Sequence, residues 1–358
     1  MRPGWRNFDW ILLGGVLFLG AAGLVSLASS NVDFFWRQLV WYGLALLIIF
    51  FGSQLDWRFI IGQGWFRYGL YWLSVLLLIF VAFQSFIIRG VKSWIVLGGL
   101  QFEPSELAKV ALIIMLAGFF ARRHLSAWVG KNIFVSFVYT LIPAGLIAIQ
   151  PDFGSAVIIL GIWAGFLLVN GVHLKRFLIG LLIVVIAAGL LWSFFLKPYQ
   201  KERFIGFVFP KADPLGINYN VIQSKIAIGS AGFLGKGFDA GTQVNLNFLP
   251  EAESDFIFAA FTEEWGILGA VLLILVFLLV IWRIMKIGRG VRDNYSKFIS
   301  LGFVFVLAIQ FVLNIGSNIG FLPVTGIILP FVSYGGSSLL TLGVLVSIME
   351  HIKLESSV

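Results

Sequence analysis

The chain has 358 residues, 59% of them hydrophobic and 12% charged, with a mean hydropathy of +0.98. So little polar surface cannot cover a soluble globule of this size, and the composition is that of a polytopic membrane protein. With no cysteine and three histidines, disulfides and thiolate metal sites are excluded and little is left for a histidine cluster. The formal charge of +8 is explained below by loop placement, which sets nucleic acid aside as a partner.

Windows of about twenty apolar residues, enough to cross roughly 30 Å of hydrocarbon, recur along the chain. They predict about ten helices, near Trp10–Leu27, Phe35–Phe51, Phe66–Phe83, Pro104–Phe120, Ile133–Ile149, Phe153–Asn170, Phe177–Leu196, Asp255–Ile284, Phe298–Gly316 and Gly335–Glu350. The first follows Met1-Arg-Pro-Gly-Trp-Arg6 and flows into further spans, so it reads as an anchor and not a cleaved signal. With the N-terminus inside, cytoplasmic segments hold fifteen Lys or Arg and the short outer loops only Arg37, Arg89 and Lys92. That bias puts both termini in the cytoplasm. The expected fold is an all-α transmembrane domain over 1–358, with one long extracytoplasmic loop at 197–254.

Costly charges near membrane depth are functional hypotheses. Arg89 and Lys92, in Ile88-Arg-Gly-Val-Lys-Ser-Trp94, sit at the outer interface and can snorkel beside the Trp anchor. The fourth span opens Phe102-Glu-Pro-Ser-Glu-Leu-Ala-Lys109, with Glu106 and Lys109 three residues apart on one helix face. They can pair with each other, or Lys109 can attract a phosphate while Glu106 holds it or binds a metal. In Gln150-Pro-Asp-Phe-Gly-Ser155, Asp152 either caps the sixth helix or belongs to an outer-facing polar pocket.

The long outer segment carries Lys197, Lys201, Arg203, Lys211, Lys225 and Lys236, a basic set that suits an anionic lipid or a pyrophosphate as well as plain solvation. Its glycine-rich stretch Lys225–Gly237 matches neither the P-loop nor the dinucleotide spacing, and its backbone amides either meet phosphate or form a tight re-entrant turn. Phe248–Gly266 then holds five acidic residues where a polar loop enters a hydrophobic helix. Pro250 suits a first helical turn and Ser254 a cap, and both put Asp255 near a helix N-terminus that favours its ionised form. Glu263 and Glu264, two turns on, are secondary candidates. Finally, Gly320–Ser338 carries two prolines and several glycines at membrane depth. Broken backbone there must be buried in protein or line a wet cavity, and Ser333 within it is a further substrate-binding candidate.

Taken in order, Gly90-Val-Lys-Ser-Trp-Ile with Phe102–Lys109, Gln150-Pro-Asp-Phe-Gly, Tyr219-Asn-Val-Ile-Gln-Ser-Lys-Ile-Ala-Ile-Gly-Ser, Phe248–Ala259 and Leu322–Ser338 resemble the SEDS family (shape, elongation, division and sporulation) over nearly the whole chain. Gln223–Ser230, Gly235-Lys-Gly and Gly241-Thr-Gln are closer to its elongation branch than to its division branch. Two positions depart from the family pattern, Glu103 where Gln is usual and Ala231 where a second Gly is usual.

The resemblance implies a peptidoglycan glycosyltransferase that polymerises lipid II at the outer face of the bacterial cytoplasmic membrane. It implies as partners a class B penicillin-binding protein and other membrane proteins of the elongation machinery. It also implies a divalent cation, Mg or Mn, whose ligands the sequence does not give. Asp255 falls on the family's catalytic aspartate, Glu106 and Lys109 on its polar positions in the fourth span, and Arg203 and Lys225 on basic positions of the long loop. The residues suit that chemistry, because inverting glycosyl transfer needs one carboxylate base for the incoming hydroxyl and positive charge for the leaving pyrophosphate. The competing expectation is a lipid II flippase, which should show matched broken segments in both halves; the unusual residues here crowd one side.

Overall fold

A computed structural model describes residues 8–83, 93–97, 100–123, 129–171, 175, 180, 206–209, 216 and 218–356. Its helices are α1 (Trp10–Ser30), α2 (Val32–Gly52), α3 (Trp57–Gly62), α4 (Gly64–Ala82), α5 (Pro104–Ala121), α6 (Gly130–Ile149), α7 (Phe153–Val169), α8 (Tyr219–Ser230), α9 (Thr242–Asn245), α10 (Ile257–Gly290), α11 (Asn294–Asn318) and α12 (Gly336–Ser356). Strands β1 (Ile95–Leu97) and β2 (Leu100–Phe102) pair antiparallel, with Val96 opposite Gln101. Eight of the helices are long and apolar enough to cross a membrane, and α7 is a shorter apolar helix. The architecture is the expected all-α membrane bundle. The span expected at Phe177–Leu196 lies outside the described residues except for Gly180, as do Arg89, Lys92 and Arg203.

Helix α5 is the axis of the bundle. Almost all of its residues are buried, Glu106 and Lys109 among them, and α4, α7 and α11 pack around it. A helix apolar all round belongs inside other helices. In α2, by contrast, Leu39, Val40, Leu44, Leu47 and Phe51 are exposed, giving that helix a lipid-facing side.

The two ends of the bundle are fixed by ion pairs and hydrogen bonds. Asp9 caps α1 by accepting from Leu12 N at 3.0 Å, receives Arg283 Nη2 of α10 at 2.7 Å, and donates its own N–H to Glu350 Oε2 of α12 at 2.9 Å. The start of α1 and the end of α12 therefore share one end, as the charge bias requires. At the opposite end Ser29 of α1 donates to Glu264 of α10.

Two expectations are corrected here. The segment at 197–254 is not plain loop, since it carries α8 and α9. The eighth span does not begin at Asp255 or at Pro250 but at Ile257, because the carbonyls an earlier start would use are already taken. Tyr334 N donates to Glu253 O at 2.9 Å, Ser333 Oγ to Ser254 O at 2.6 Å, and Asn318 Nδ2 to Asp255 O at 2.8 Å. Nor does Ser254 cap the helix; its hydroxyl donates to Glu251 Oε2 at 3.0 Å.

Helix α10 is also broken. Gly266 (φ 70°, ψ −175°) interrupts it, and the freed groups are met by the glycine-rich turn. Lys236 N and Gly237 N donate to Glu263 O and Glu264 O at 3.0 Å each, while Ile267 N and Leu268 N donate to Gly232 O and Phe233 O at 3.1 and 3.2 Å. The amides of Lys236 and Gly237 are thus spent on the helix. Only glycine fits at 266, since its φ is left-handed and a Cβ would strike the backbone of Phe233 and Gly235. Gly266→Ala is expected to lower stability by on the order of 1–3 kcal/mol. Gly145→Ala, where no atom lies within 4 Å of the added carbon, is the neutral control, both read by thermal unfolding in detergent.

Candidate active site

Asp255 stands two residues before α10, in a turn gripped by α11 and by the broken segment. Asn314 and Asn318 of α11 both donate to its carbonyl, at 3.0 and 2.8 Å. The same Asn318 side chain accepts from Ala259 N at 3.2 Å. Its carboxamide is therefore inserted between the C=O of Asp255 and the N–H of Ala259, the two groups that would otherwise form a helical i to i+4 bond. Asn314 also donates to Ile327 O at 2.8 Å, which joins this turn to the broken segment.

That segment, 319–335, is the second wall. Ser333 donates to Ser254 O and accepts from Leu329 N at 2.9 Å, and it is buried. Its hydroxyl braces the Asp255 turn from the side of the broken segment. Gln38 of α2 donates to Ser333 O and accepts from Gly335 N, each at 3.2 Å, and Tyr42 donates to Phe331 O. These backbone groups of the irregular stretch are met by protein, as membrane depth requires. The Asp255 carboxylate faces Gly326, where a Cβ would lie 3.9 Å from Oδ2.

On the far side of the broken segment, Gly154 at the head of α7 lies against Thr325 O and Ile327 with no room for a side chain. Asp152 accepts from Ser155 N at 3.0 Å, which makes it the cap of α7, and it shares a polar group with α5. In that group Lys109 Nζ lies 2.8 Å from Glu106 Oε1, with the two side chains 2% and 6% exposed. Ser105 donates to Glu103 Oε1 at 2.5 Å, Glu103 N donates to Ser337 Oγ at 3.2 Å, and Ser337 donates to Gln101 O at 2.9 Å. The sequence left pairing and phosphate binding open for Lys109, and the geometry shows it paired. Lys225 of α8 is exposed, and its ammonium lies over Gly320 at the edge of the broken segment.

Burial pushes the Glu103 carboxyl up to about 8, with Glu106 and Asp152 adding to the rise and Lys109 and Ser105 opposing it. Asp152 is also raised, mainly by burial, against the pull of Ser155 and Lys109. A Glu held as its neutral acid near pH 7 has the shape of Gln and carries no charge. The departure at Glu103 is therefore electrostatically small at neutral pH.

Glu263 and Glu264 are fully buried but separate from Asp255. Glu263 meets Lys236 Nζ at 2.5 Å, Thr242 Oγ1 at 3.0 Å and Gln243 N at 3.2 Å, and so holds α9 to α10. Among the described residues, no three carboxylate or imidazole ligands converge around Asp255; such a group occurs at the other end of the bundle, at Asp56, His351 and Glu355. The reaction proposed below is therefore derived from this chain's own residues. The sequence reading missed Asn314, Asn318 and Gln38. A signal for the first two existed, since Gln310, Asn314 and Asn318 recur every fourth residue along an apolar span and make one polar stripe.

The apolar helices and their buried packing define a multi-pass integral membrane protein. Over residues 5–358 the chain matches the family described as cell cycle protein, comprising FtsW, RodA and SpoVE. It is 35% identical over 352 residues to peptidoglycan glycosyltransferase MrdB of Escherichia coli K12, covering 97% of this chain and 94% of that protein. Against stage V sporulation protein E of Bacillus subtilis it is 33% identical over 361 residues, 96% and 97% of the two chains. A solved chain from a study of "polymerization and crosslinking by a peptidoglycan synthase complex" superposes with a TM-score of 0.84 at 34% identity, with 98% of each chain covered. The rod shape determining protein RodA of Thermus thermophilus gives 0.72 at 29% identity, covering 97% of this chain and 98% of that one. The chain belongs to the SEDS family.

The raised Glu103 carboxyl has a measurable consequence. The folded chain binds this proton more tightly than the unfolded one, whose value is the ordinary 4.5. Its contribution to stability is complete below that value and is lost as pH rises through about 8. Relative to wild type, Glu103→Gln should gain up to ~1.4 kcal/mol for each pH unit in that window. Unfolding midpoints of the two proteins measured across it check this.

Proposed function

We propose that the protein is a peptidoglycan glycosyltransferase that polymerises lipid II, with Asp255 as general base. The observation that carries the reading is the Asp255 turn, held from its backbone side by Asn314, Asn318 and Ser333 and presenting its carboxylate toward Gly326. It lies at the end of the bundle away from the termini. The excess of Lys and Arg on the terminal side makes Asp255's end the outer face of the cytoplasmic membrane.

In the reaction, the acceptor sugar hydroxyl gives its proton to Asp255 as its oxygen bonds to the anomeric carbon. The bond from that carbon to the pyrophosphate oxygen breaks, and the electron pair leaves with the lipid pyrophosphate. Lys225, exposed at the rim, and Arg203 from the long loop are the cations for that leaving group. Lys109, bound to Glu106 and buried, sets the field of the floor and does not meet phosphate directly.

The lipid tail has a place to lie. A cavity of about 590 Å³ runs between α1, α2 and α12, lined by Val16, Gly20, Tyr42, Gly43, Ile49 and Phe331 among others. Its lining is almost entirely apolar, Leu17 and Leu39 at its rim are exposed, and Phe331 connects it to the broken segment. An isoprenoid chain entering sideways from lipid fits this shape and chemistry. The partner this reading implies is a class B penicillin-binding protein, supported by the likeness to a chain of a peptidoglycan synthase complex.

Asp255→Asn in reconstituted membranes is expected to cut polymerisation of added lipid II by a factor of about 10²–10⁴, with insertion and thermal stability unchanged. Near-normal glycan synthesis would remove Asp255 from this role, and lipid II translocation without glycan would favour a flippase. Gly43 lines the groove and has nothing within 4 Å of an added Cβ, so Gly43→Leu places a side chain in the space proposed for the lipid tail. It should weaken use of lipid II on the order of tenfold, the scale of a misfit of a methylene or two in an apolar pocket. Chain synthesis against lipid II concentration measures it.

A further inference from the structure

At the end of the bundle opposite Asp255, three side chains converge that the polymerisation reaction does not use. We propose that His351 and Glu355 of α12, with Asp56 at the α2–α3 corner, form a binding site for one divalent first-row transition ion of the zinc class. His351 Nε2 lies 3.7 Å from Glu355 Oε1 and 3.8 Å from Asp56 Oδ1. All three ligand atoms lie within 4.8 Å of one another, and ligands at ~2.1 Å from a tetrahedral zinc are about 3.4 Å apart, so side-chain rotation at the two carboxylates brings the set to the spacing of the ion.

The imidazole is the decisive member. His351 is 8% exposed, and its Nε2 is buried with no hydrogen-bond partner. Its Nδ1 lies 3.3 Å from Ser53 O, and a proton held there leaves the Nε2 lone pair directed at the two carboxylates. A backbone carbonyl behind a histidine ligand is the usual outer support of a metal site. His351 and Glu355 are four residues apart on one helix face, which aligns their ligand atoms. Asp56 is held by capping α3 through Phe59 N at 2.8 Å, and its neighbour Trp57 fixes the corner by donating to Ser347 Oγ of α12 at 3.1 Å. Arg58 Nη1, 3.7 Å away, approaches Glu355 through Oε2 and leaves Oε1 to the site. Imidazole with carboxylates selects zinc and its neighbours over magnesium, which wants six oxygens.

The site is distinct from any ion that serves glycosyl transfer, so its test does not depend on activity. Full-length protein in detergent, stripped with chelator, is titrated with zinc sulfate by calorimetry. One ion per chain is expected, with affinity reduced about tenfold or more by His351→Gln and by Glu355→Gln, and no comparable binding of magnesium. Because His124 and His173 can also ligate, a variant with both changed to Gln must retain the site. Loaded with copper, that variant should show imidazole nitrogen coupling in pulsed electron paramagnetic resonance, which decides the matter even where His351→Gln does not fold. Absence of zinc binding by the wild type, unchanged affinity in folded His351→Gln, or a copper spectrum without nitrogen coupling would overturn the proposal.

Discussion

The carboxamide of Asn318 is the interaction on which the rest of the site depends. By standing between Asp255 O and Ala259 N, it replaces the first turn of a helix with a side-chain bridge to another helix. The direction of the Asp255 carboxylate is thereby set by α11 and not by its own helix. A buried amide at membrane depth is costly when it lacks partners, and this one has them on both its oxygen and its nitrogen. The same helix supplies Asn314, which reaches the broken segment at Ile327, so one face of α11 aligns both walls of the site. Precise placement matters because a general base works only within hydrogen-bond reach of its proton.

Charge is handled differently on the two sides of the broken segment. Around α5 the charges are buried and made nearly neutral among themselves: Lys109 is paired with Glu106, and Glu103 is held as an acid. Among the described residues, the side chains that bond to the backbone of the Asp255 turn are two amides and a hydroxyl. The exposed cation Lys225 lies at the edge. The buried floor around α5 thus carries little net charge beside the turn that bears Asp255.

Much of this was legible from residues alone, for identifiable reasons. Length and hydropathy locate spans because hydrocarbon thickness fixes them, and Lys and Arg counts orient them. Glu106 and Lys109 were visible as one face of one helix, and two prolines marked the broken segment. Tertiary competition for backbone groups was not visible. The capture of Glu253, Ser254 and Asp255 carbonyls moved the start of α10 to Ile257, and nothing local to that stretch announces it. The glycine-rich turn was seen as a turn, but its target, the break at Gly266, lies 29 residues beyond Gly237 in sequence. Asp56 and His351, almost three hundred positions apart, carry no local pattern that would join them.

The burial of α5 bears on how the chain is made. A segment with Glu106 and Lys109 in its first two turns is a weak candidate for leaving the translocon by itself, since charged residues raise the free energy of entering lipid. Its final neighbours include α11, which is synthesised some 170 residues after α5 ends. The axis of the finished bundle therefore cannot be enclosed on all sides until most of the protein has left the ribosome.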